Sequence, residues 1–276
     1  MQKVAIVGVG LIGASFGLAL RKAGFAGPIN GVSSPAALEA GLVVGAISHA
    51  APLLEAVEQS DLIYLSQPVD RIIDTLAQIG PVAKPGTLIT DAGSTKVAIV
   101  QAAAQHVRYA TFLGGHPMAG KESRGAAAAQ ADLFVGRPYV LDKVDGPQAD
   151  EFRGWIGLIG ADIVEMSASQ HDATVALTSH LPQLLSTALA AYLSNQSEYA
   201  IDKVFGSGLL DMTRLALSPA DLWFSIINTN SENVSKAVDG YIEALQKLKE
   251  SIGTDAFRSY FASSSTQAAA FRKLPR

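Results

Sequence analysis

Cysteine is absent from the chain. Its absence excludes a disulfide scaffold, a thiol nucleophile and any Cys-ligated zinc or iron–sulfur site. Charge is scarce: Asp, Glu, Lys and Arg make up 17% of the residues, against a usual share of about 25%. With 49% apolar residues, the chain is too hydrophobic to be disordered. Neither sign of charge dominates. Twenty-one basic against 25 acidic residues give a net charge of −4, so no electrostatic pull toward nucleic acid or an anionic membrane is expected. Such sparse charge also implies that another subunit covers some apolar surface. The five histidines form no H-E-x-x-H or other clustered metal pattern, and no metal is expected. A G-x-S-x-G nucleophile elbow is missing too, which removes the hydrolase that Ser94 and His116 would otherwise suggest.

Long apolar runs are also lacking, with one exception. Val4–Leu20 is 17 uncharged residues behind Lys3, the bottom of the range for a membrane span. Arg21 and Lys22 close it without an export-type cleavage site, and the glycines within it have another meaning. A cytoplasmic protein is the expectation. At roughly 150 residues per domain, 276 residues make two modest domains or one large one.

The first half alternates short apolar β runs with helical segments. Strands are expected at Lys3–Val7, Ile29–Val32, Asp61–Leu65, Thr87–Thr90, Thr111–Leu113 and Pro138–Leu141. Helices are expected at Leu11–Ala23, Pro35–Val44, Val69–Ile79 and Thr95–Gln105. In Val69–Ile79, Ile72, Ile73, Leu76 and Ile79 recur at helical spacing. This rhythm predicts an α/β domain: a parallel sheet with helices on both faces. It stops near the polar segment Asp142–Pro147. A helix at Ala149–Ile159 and a strand at Asp162–Met166 follow. The rest reads as helical: one long helix from about Ser169 to Leu193 with Pro182 inside it, then Leu209–Leu215, Pro219–Thr229, Ser231–Ser251 and Asp255–Ala270. The boundary is placed at 145–165, giving a dinucleotide-binding domain over 1–150 and a helical domain over 151–276.

Gly8-Val9-Gly10-Leu11-Ile12-Gly13 is a G-x-G-x-x-G pattern. It follows a strand and opens a helix, the context that a dinucleotide site requires. Gly8 permits the tight turn, Gly10 lets the backbone approach a pyrophosphate, and Gly13 lets helix and strand pack closely. The amides at the helix start, around Leu11 and Ile12, face the anion. An NAD site usually carries Asp or Glu about 20 residues later, on the ribose 2′-OH. Here that position is Ser33, followed by Ser34, so a 2′-phosphate meets no repulsion and NADP is favoured, with NAD as the alternative. Arg21 and Lys22 are the nearest basic residues in sequence. Ser33 and Ser34 equally suit a simple cap on the next helix.

Four further segments carry polar chemistry: Thr90–Lys96, Gly114–Glu122, Thr178–Pro182 and Gly206–Arg214, the last with Trp223 nine residues on. Ligands of doubly wound sheets bind outside the carboxyl ends of the strands, which puts Ser94 and His116 on the cofactor side. A histidine between two glycines and a proline has little core to occupy, so a chemical role outweighs turn packing. His180 sits just before Pro182, which leaves the Thr178 carbonyl without its helix bond; a kink-filling side chain and a functional one are equally expected there. His171 lies nine residues before His180, on the opposite face of an ideal helix, and reads as structural. Arg214 is either functional or the surface partner of Asp211 at i, i+3.

In chain order, GVGLIGAS, TDAGSTK, GGHPMAGKESRG, AAAAQADLF, SHLP and DMTRLALSPADLW resemble the prephenate and arogenate dehydrogenases of tyrosine biosynthesis, over essentially the whole chain. The HPMAG and GSTK blocks are the specific ones. The resemblance implies a Rossmann-type domain, an all-helical C-terminal domain that forms a homodimer, and oxidative decarboxylation of a small cyclohexadiene. It implies that His116 accepts the hydrogen bond of the substrate hydroxyl and that Ser94 orients both. Arg214 would bind the ring carboxylate. Glu122, His180, Asp211 and Trp223 would shape the side-chain end and the domain cleft. Gln67, before Pro68 at the end of the third long strand, stands where the family has a small residue, beside the nicotinamide; Lys121 often is Thr or Ser in relatives. With no mutase segment before residue 1 and no regulatory domain after Arg276, inhibition by tyrosine would act at the active site. Two alternatives remain: an imine or pyrroline-carboxylate reductase, which has no need of Ser94, His116 and Arg214 together, and a non-catalytic NADP-sensing protein.

Overall fold

The computed structural model describes residues 1–274. Its main sheet has six strands: β1 (Val4–Val7), β2 (Ile29–Val32), β3 (His49–Ala50), β4 (Leu62–Leu65), β5 (Leu88–Asp91) and β6 (Thr111–Leu113). All pair in parallel, in the order β3-β2-β1-β4-β5-β6. The order reverses at β1, which is the switch point of a doubly wound dinucleotide fold. The connecting helices are α1 (Leu11–Lys22), α2 (Pro35–Val43), α3 (Leu53–Gln59), α4 (Val69–Ile79) and α5 (Val97–His106).

The strands are near-continuous apolar runs because both faces of the sheet are covered. Val4 and Ile6, Leu62 and Tyr64, and Leu88 point into one buried cluster, which Phe16 and Phe152 complete. Their neighbours Ala5, Val7, Ile63, Leu65 and Ile89 point into the other, with Ile72, Leu76 and Ile79 of α4 and Ile99 of α5. That is the alternation of side chains along a strand. Each large aliphatic buried there stabilises the fold by about 1.5–3 kcal/mol. Phe16 stacks on Tyr64 with ring centroids 3.9 Å apart, and the Tyr139 hydroxyl donates to that of Tyr64 at 3.2 Å.

A second sheet follows: β7 (Gly115–Pro117), β8 (Pro138–Leu141) and β9 (Asp162–Glu165), with β7–β8 antiparallel and β8–β9 parallel. Helix α6 (Pro147–Leu158) connects β8 to β9. This piece packs with the segment before it. The β8–β9 ladder and the burial of Phe152 and Ile156 bind this segment to the first unit, which runs over Met1–Asp172 and takes in Ala220–Thr229 as well. Helix α7 (Ala168–Val175) closes the continuous part, and α10 (Ala220–Asn228) supplies the later piece. Within this unit Ser225 Oγ donates to Asp70 Oδ1 at 3.1 Å, and the Thr95 and Thr229 hydroxyls lie 2.8 Å apart.

The second unit, Ala173–Pro219 and the chain from Asn230 on, is helical. It contains α8 (Leu181–Ser194), α9 (Ser207–Thr213), a 3₁₀ turn at Arg214–Leu217, α11 (Ser231–Ser251) and α12 (Asp255–Phe271). The expected single helix over 169–193 is instead two α-helices joined by a π turn at Ala176–His180. Pro182 stands at the start of α8, where its missing N–H costs nothing, and the wider turn absorbs the mismatch.

Candidate active site

The glycine loop is built as its spacing requires. Gly8 has φ +98°, and a Cβ there would lie 2.4 Å from the Ser66 carbonyl oxygen. A Cβ on Gly13 would lie 2.1 Å from the Gly8 carbonyl oxygen and 2.4 Å from Ser66 Oγ. Ser66 Oγ itself donates to the Gly8 carbonyl at 2.7 Å, tying the end of β4 to the loop. Gly10 is different: nothing lies within 4 Å of where its Cβ would be. The room that side chain would fill is the cradle a pyrophosphate needs, at the start of α1. No side chain caps that helix and its first turn has no acidic residue, so the Leu11 and Ile12 amides and the helix dipole suit an anion. The residues present fit a dinucleotide.

At the carboxyl ends of β1, β2 and β4 lies a cleft of about 420 Å³ lined by Val7, Val32, Leu53, Gln67, Arg71 and Thr75 among others. Gln67 Oε1 accepts from Thr75 Oγ1 at 2.9 Å, which fixes the side chain; Pro68 precedes α4 as its N-cap. Ser33 and Ser34 are exposed, and Ser34 makes no side-chain capping bond to α2 although it holds the N-cap position. Capping does not account for it. Arg21 is removed as a phosphate partner, because its guanidinium donates to the Phe25 and Gly27 carbonyls and to Ser48 Oγ at the far end of α1. Arg71, exposed on α4, is the basic residue that lines the cleft with Val32. Its sequence signal was its place in the first turn after a strand end at the switch point.

Beyond β5, the Thr90–Lys96 segment is held by a buried network. Asp91 Oδ2 accepts from the Gly93 amide at 2.8 Å and from Lys96 Nζ, and Oδ1 accepts from the Gly115 amide at 3.1 Å. Burial pushes the Lys96 ammonium below the usual lysine range, against the pull of Asp91, Asp172 and Asp142. Asp172 then caps α5 from across the unit: Oδ1 accepts from the Lys96 amide at 2.7 Å and Oδ2 from the Val97 amide at 2.9 Å. Ser94 is half-buried in this loop. His116, also half-buried, stands on β7, and its Nδ1 lies 2.8 Å from His171 Nε2. The His171 Nδ1 lies 2.7 Å from Asp172 Oδ1. His171 and Asp172 are 0% and 1% exposed. His171 of α7 thus joins, with Asp172, the GSTK block to the HPMAG block.

Of the other expected site residues, Glu122 is exposed in the loop after β7, and Trp223 is half-buried on α10. His180, Asp211 and Arg214 belong to the helical unit. There His180 is buried in the π turn with Nδ1 3.4 Å from Asn230 Nδ2. Asp211 is exposed on α9, and Arg214 is exposed at the start of the 3₁₀ turn that follows.

A doubly wound sheet with an uncapped glycine loop, and polar chemistry gathered beyond its strand ends, define a dinucleotide-binding protein. The model of the prephenate dehydrogenase nucleotide-binding domain matches residues 16–156, and that of the prephenate dehydrogenase dimerization domain matches residues 167–263. This chain belongs to the prephenate/arogenate dehydrogenase family. It is 32% identical to the prephenate dehydrogenase of Bacillus subtilis over 89% of this chain and 69% of that one. The solved structure of Aquifex aeolicus prephenate dehydrogenase with hydroxyphenyl propionate and NAD+ is similar at a TM-score of 0.90, with 29% identity and 98% of each chain covered. Synechocystis arogenate dehydrogenase is similar at 0.85, with 28% identity over 98% of this chain and 100% of that one. The imine-reductase and sensor alternatives are not favoured.

Proposed function

We propose that this protein oxidatively decarboxylates prephenate, arogenate or both in the cytoplasm, with NADP as favoured acceptor and a homodimer as the working form. The observation that carries the reaction is the His116 imidazole, held by His171 just beyond the strand ends of the dinucleotide fold. When bound, the nicotinamide supplies the ring that accepts hydride. His116 takes the proton of the ring hydroxyl as its carbon becomes carbonyl-like; general-base help of this kind is worth roughly 10²–10⁴-fold. Ser94 orients the hydroxyl. Arg214 grips the ring carboxylate bidentately, which lysine does less well. Its loss as CO₂ restores an aromatic ring and makes the reaction effectively irreversible. Glu122, His180, Asp211 and Trp223 meet the side-chain end, where prephenate carries a keto group and arogenate an ammonium.

The loop Gly8–Gly13 holds the pyrophosphate, and Gln67 and Pro68 border the nucleotide. Ser33 and Ser34 offer hydroxyls to a 2′-phosphate where an NAD site has a carboxylate, with Arg71 on the same cleft. The dimer reading rests on the helical unit, where Val204 and Leu217 are 82% and 86% exposed and whose family model is that of a dimerization domain. Reduced-cofactor formation followed with prephenate and with arogenate, each with NADP and NAD, tests the reading. Turnover of at least one diene, faster with NADP, is expected; turnover of neither refutes the reaction.

A further inference from the structure

We infer that His171 and Asp172 are positioning residues that set the tautomer of His116, so that its Nε2, and not its Nδ1, receives the substrate proton. This rests on the reading of His116 as the base. The argument runs inward from the backbone. An amide N–H only donates, so Asp172 Oδ1 accepts from the Lys96 amide at 2.7 Å. The ring nitrogen that faces the same oxygen, His171 Nδ1 at 2.7 Å, therefore donates. A neutral imidazole carries one N–H, so His171 Nε2 is an acceptor. The His116 Nδ1 atom, 2.8 Å away, then donates to it. One N–H is again all that a neutral ring has, and His116 is left with its lone pair on Nε2.

The chain Lys96 amide–Asp172–His171–His116 thus transmits a fixed donor direction from a helix terminus to the reacting imidazole. No proton travels along it. When Nε2 takes the hydroxyl proton, the His116 ring becomes a cation that keeps its Nδ1–H on His171, and that bond gains the strength of a charge-assisted one. Once CO₂ is lost, its electron pair leaves the ring oxygen a phenolate, which takes the proton back from Nε2 and so restores the resting tautomer. With Nδ1 and Nε2 2.8 Å apart and the centroids 5.0 Å apart, the two nitrogens face each other, and the 71° between the ring planes is a twist about that line.

Nitrogen NMR of the full chain with ¹⁵N-labelled histidine reads the tautomer directly. There are five histidines to resolve, and His116→Ala identifies the signal. The expected spectrum has His116 protonated at Nδ1 and bare at Nε2. An Nε2–H tautomer in the wild type overturns the inference, as does a doubly protonated His171 donating to His116. In kinetics, His171→Leu should lower kcat about 10- to 100-fold with the cofactor KM unchanged, and the His116 signal should lose its Nδ1–H preference. His171→Gln, whose amide oxygen can take the acceptor place of Nε2, should recover most of that loss. A His171→Leu protein with kcat within twofold of wild type also overturns the inference. If the enzyme turns over neither diene yet His116 is the Nδ1–H tautomer, the proposed reaction fails and the relay stands.

Discussion

Three substitutions each separate one proposed role from the rest: the base, the cofactor pocket and the grip on the ring carboxylate. His116→Ala should lower kcat at least about 10²-fold while leaving NADP affinity nearly unchanged; near-native kcat would remove it from the chemistry. Ser33→Asp places a carboxylate at the exposed end of β2, where it binds a 2′-OH and repels a 2′-phosphate. The ratio of kcat/KM for NADP over NAD should then fall and invert, and a wild type that already prefers NAD contradicts the reading of this strand. Arg214→Ala should raise the diene KM roughly 30- to 4,000-fold, the cost of losing one partner of a desolvated charge pair. An Arg214 that only pairs with Asp211 on the surface would leave the kinetics as they were, with at most about 0.5 kcal/mol lost from the melting curve. Ser94 and His116 were picked out in the sequence because a strand end followed by Gly-Gly or Gly-Ser has little use for them in packing, and both stand half-buried, Ser94 after β5 and His116 on β7. His171 was not. Its helical-wheel reading counted 100° per residue across Ala176–His180, and the π turn there does not keep that count. Asp172 was hidden for another reason: it caps α5, a helix 75 residues away in the chain.

Among elements, the glycine loop offers a clean division of labour. Gly13→Ala drives a methyl into the Gly8 carbonyl and Ser66, so the melting temperature should drop with or without cofactor. Gly10→Ala enters open space, so the apoprotein should melt as wild type does while NADP affinity falls. If both variants melt alike, Gly10 serves packing and not the ligand. Several elements were readable, and β2, α4 and β6 occupy the spans that the sequence predicts. Three short ones were not. Strand β3 is an edge of two residues, His49–Ala50, that shows no alternation; α3 spans only Leu53–Gln59. Strand β7 exists because Gly115–Pro117 finds β8 across the chain, a pairing that local spacing cannot announce.

For the molecule as a whole, alkali should be the weak side. Tyr64 and Tyr139 are buried in hydrogen-bonded contact, and burial raises both phenols above the ordinary value of 10.0. Their raised folded values favour the folded state, which keeps its protons where the unfolded chain sheds them. That contribution is complete below pH 10.0 and is lost as pH rises toward the folded values. Urea midpoints should therefore fall from pH 9 to pH 11, and the fall should be shallower in Tyr139→Phe. An identical slope in that variant would show that other groups govern the alkaline limb.

The return of Ala220–Thr229 to the first unit makes that unit discontinuous along the chain. On the ribosome, Asp70 and Thr95 wait for Ser225 and Thr229, and at about 5–20 residues per second that wait is on the order of several seconds after Asp172 emerges. A fragment cut at Asp172 lacks the Ser225 and Thr229 partners of Asp70 and Thr95. Any exchange of halves between relatives has to carry α10 along with the sheet it serves.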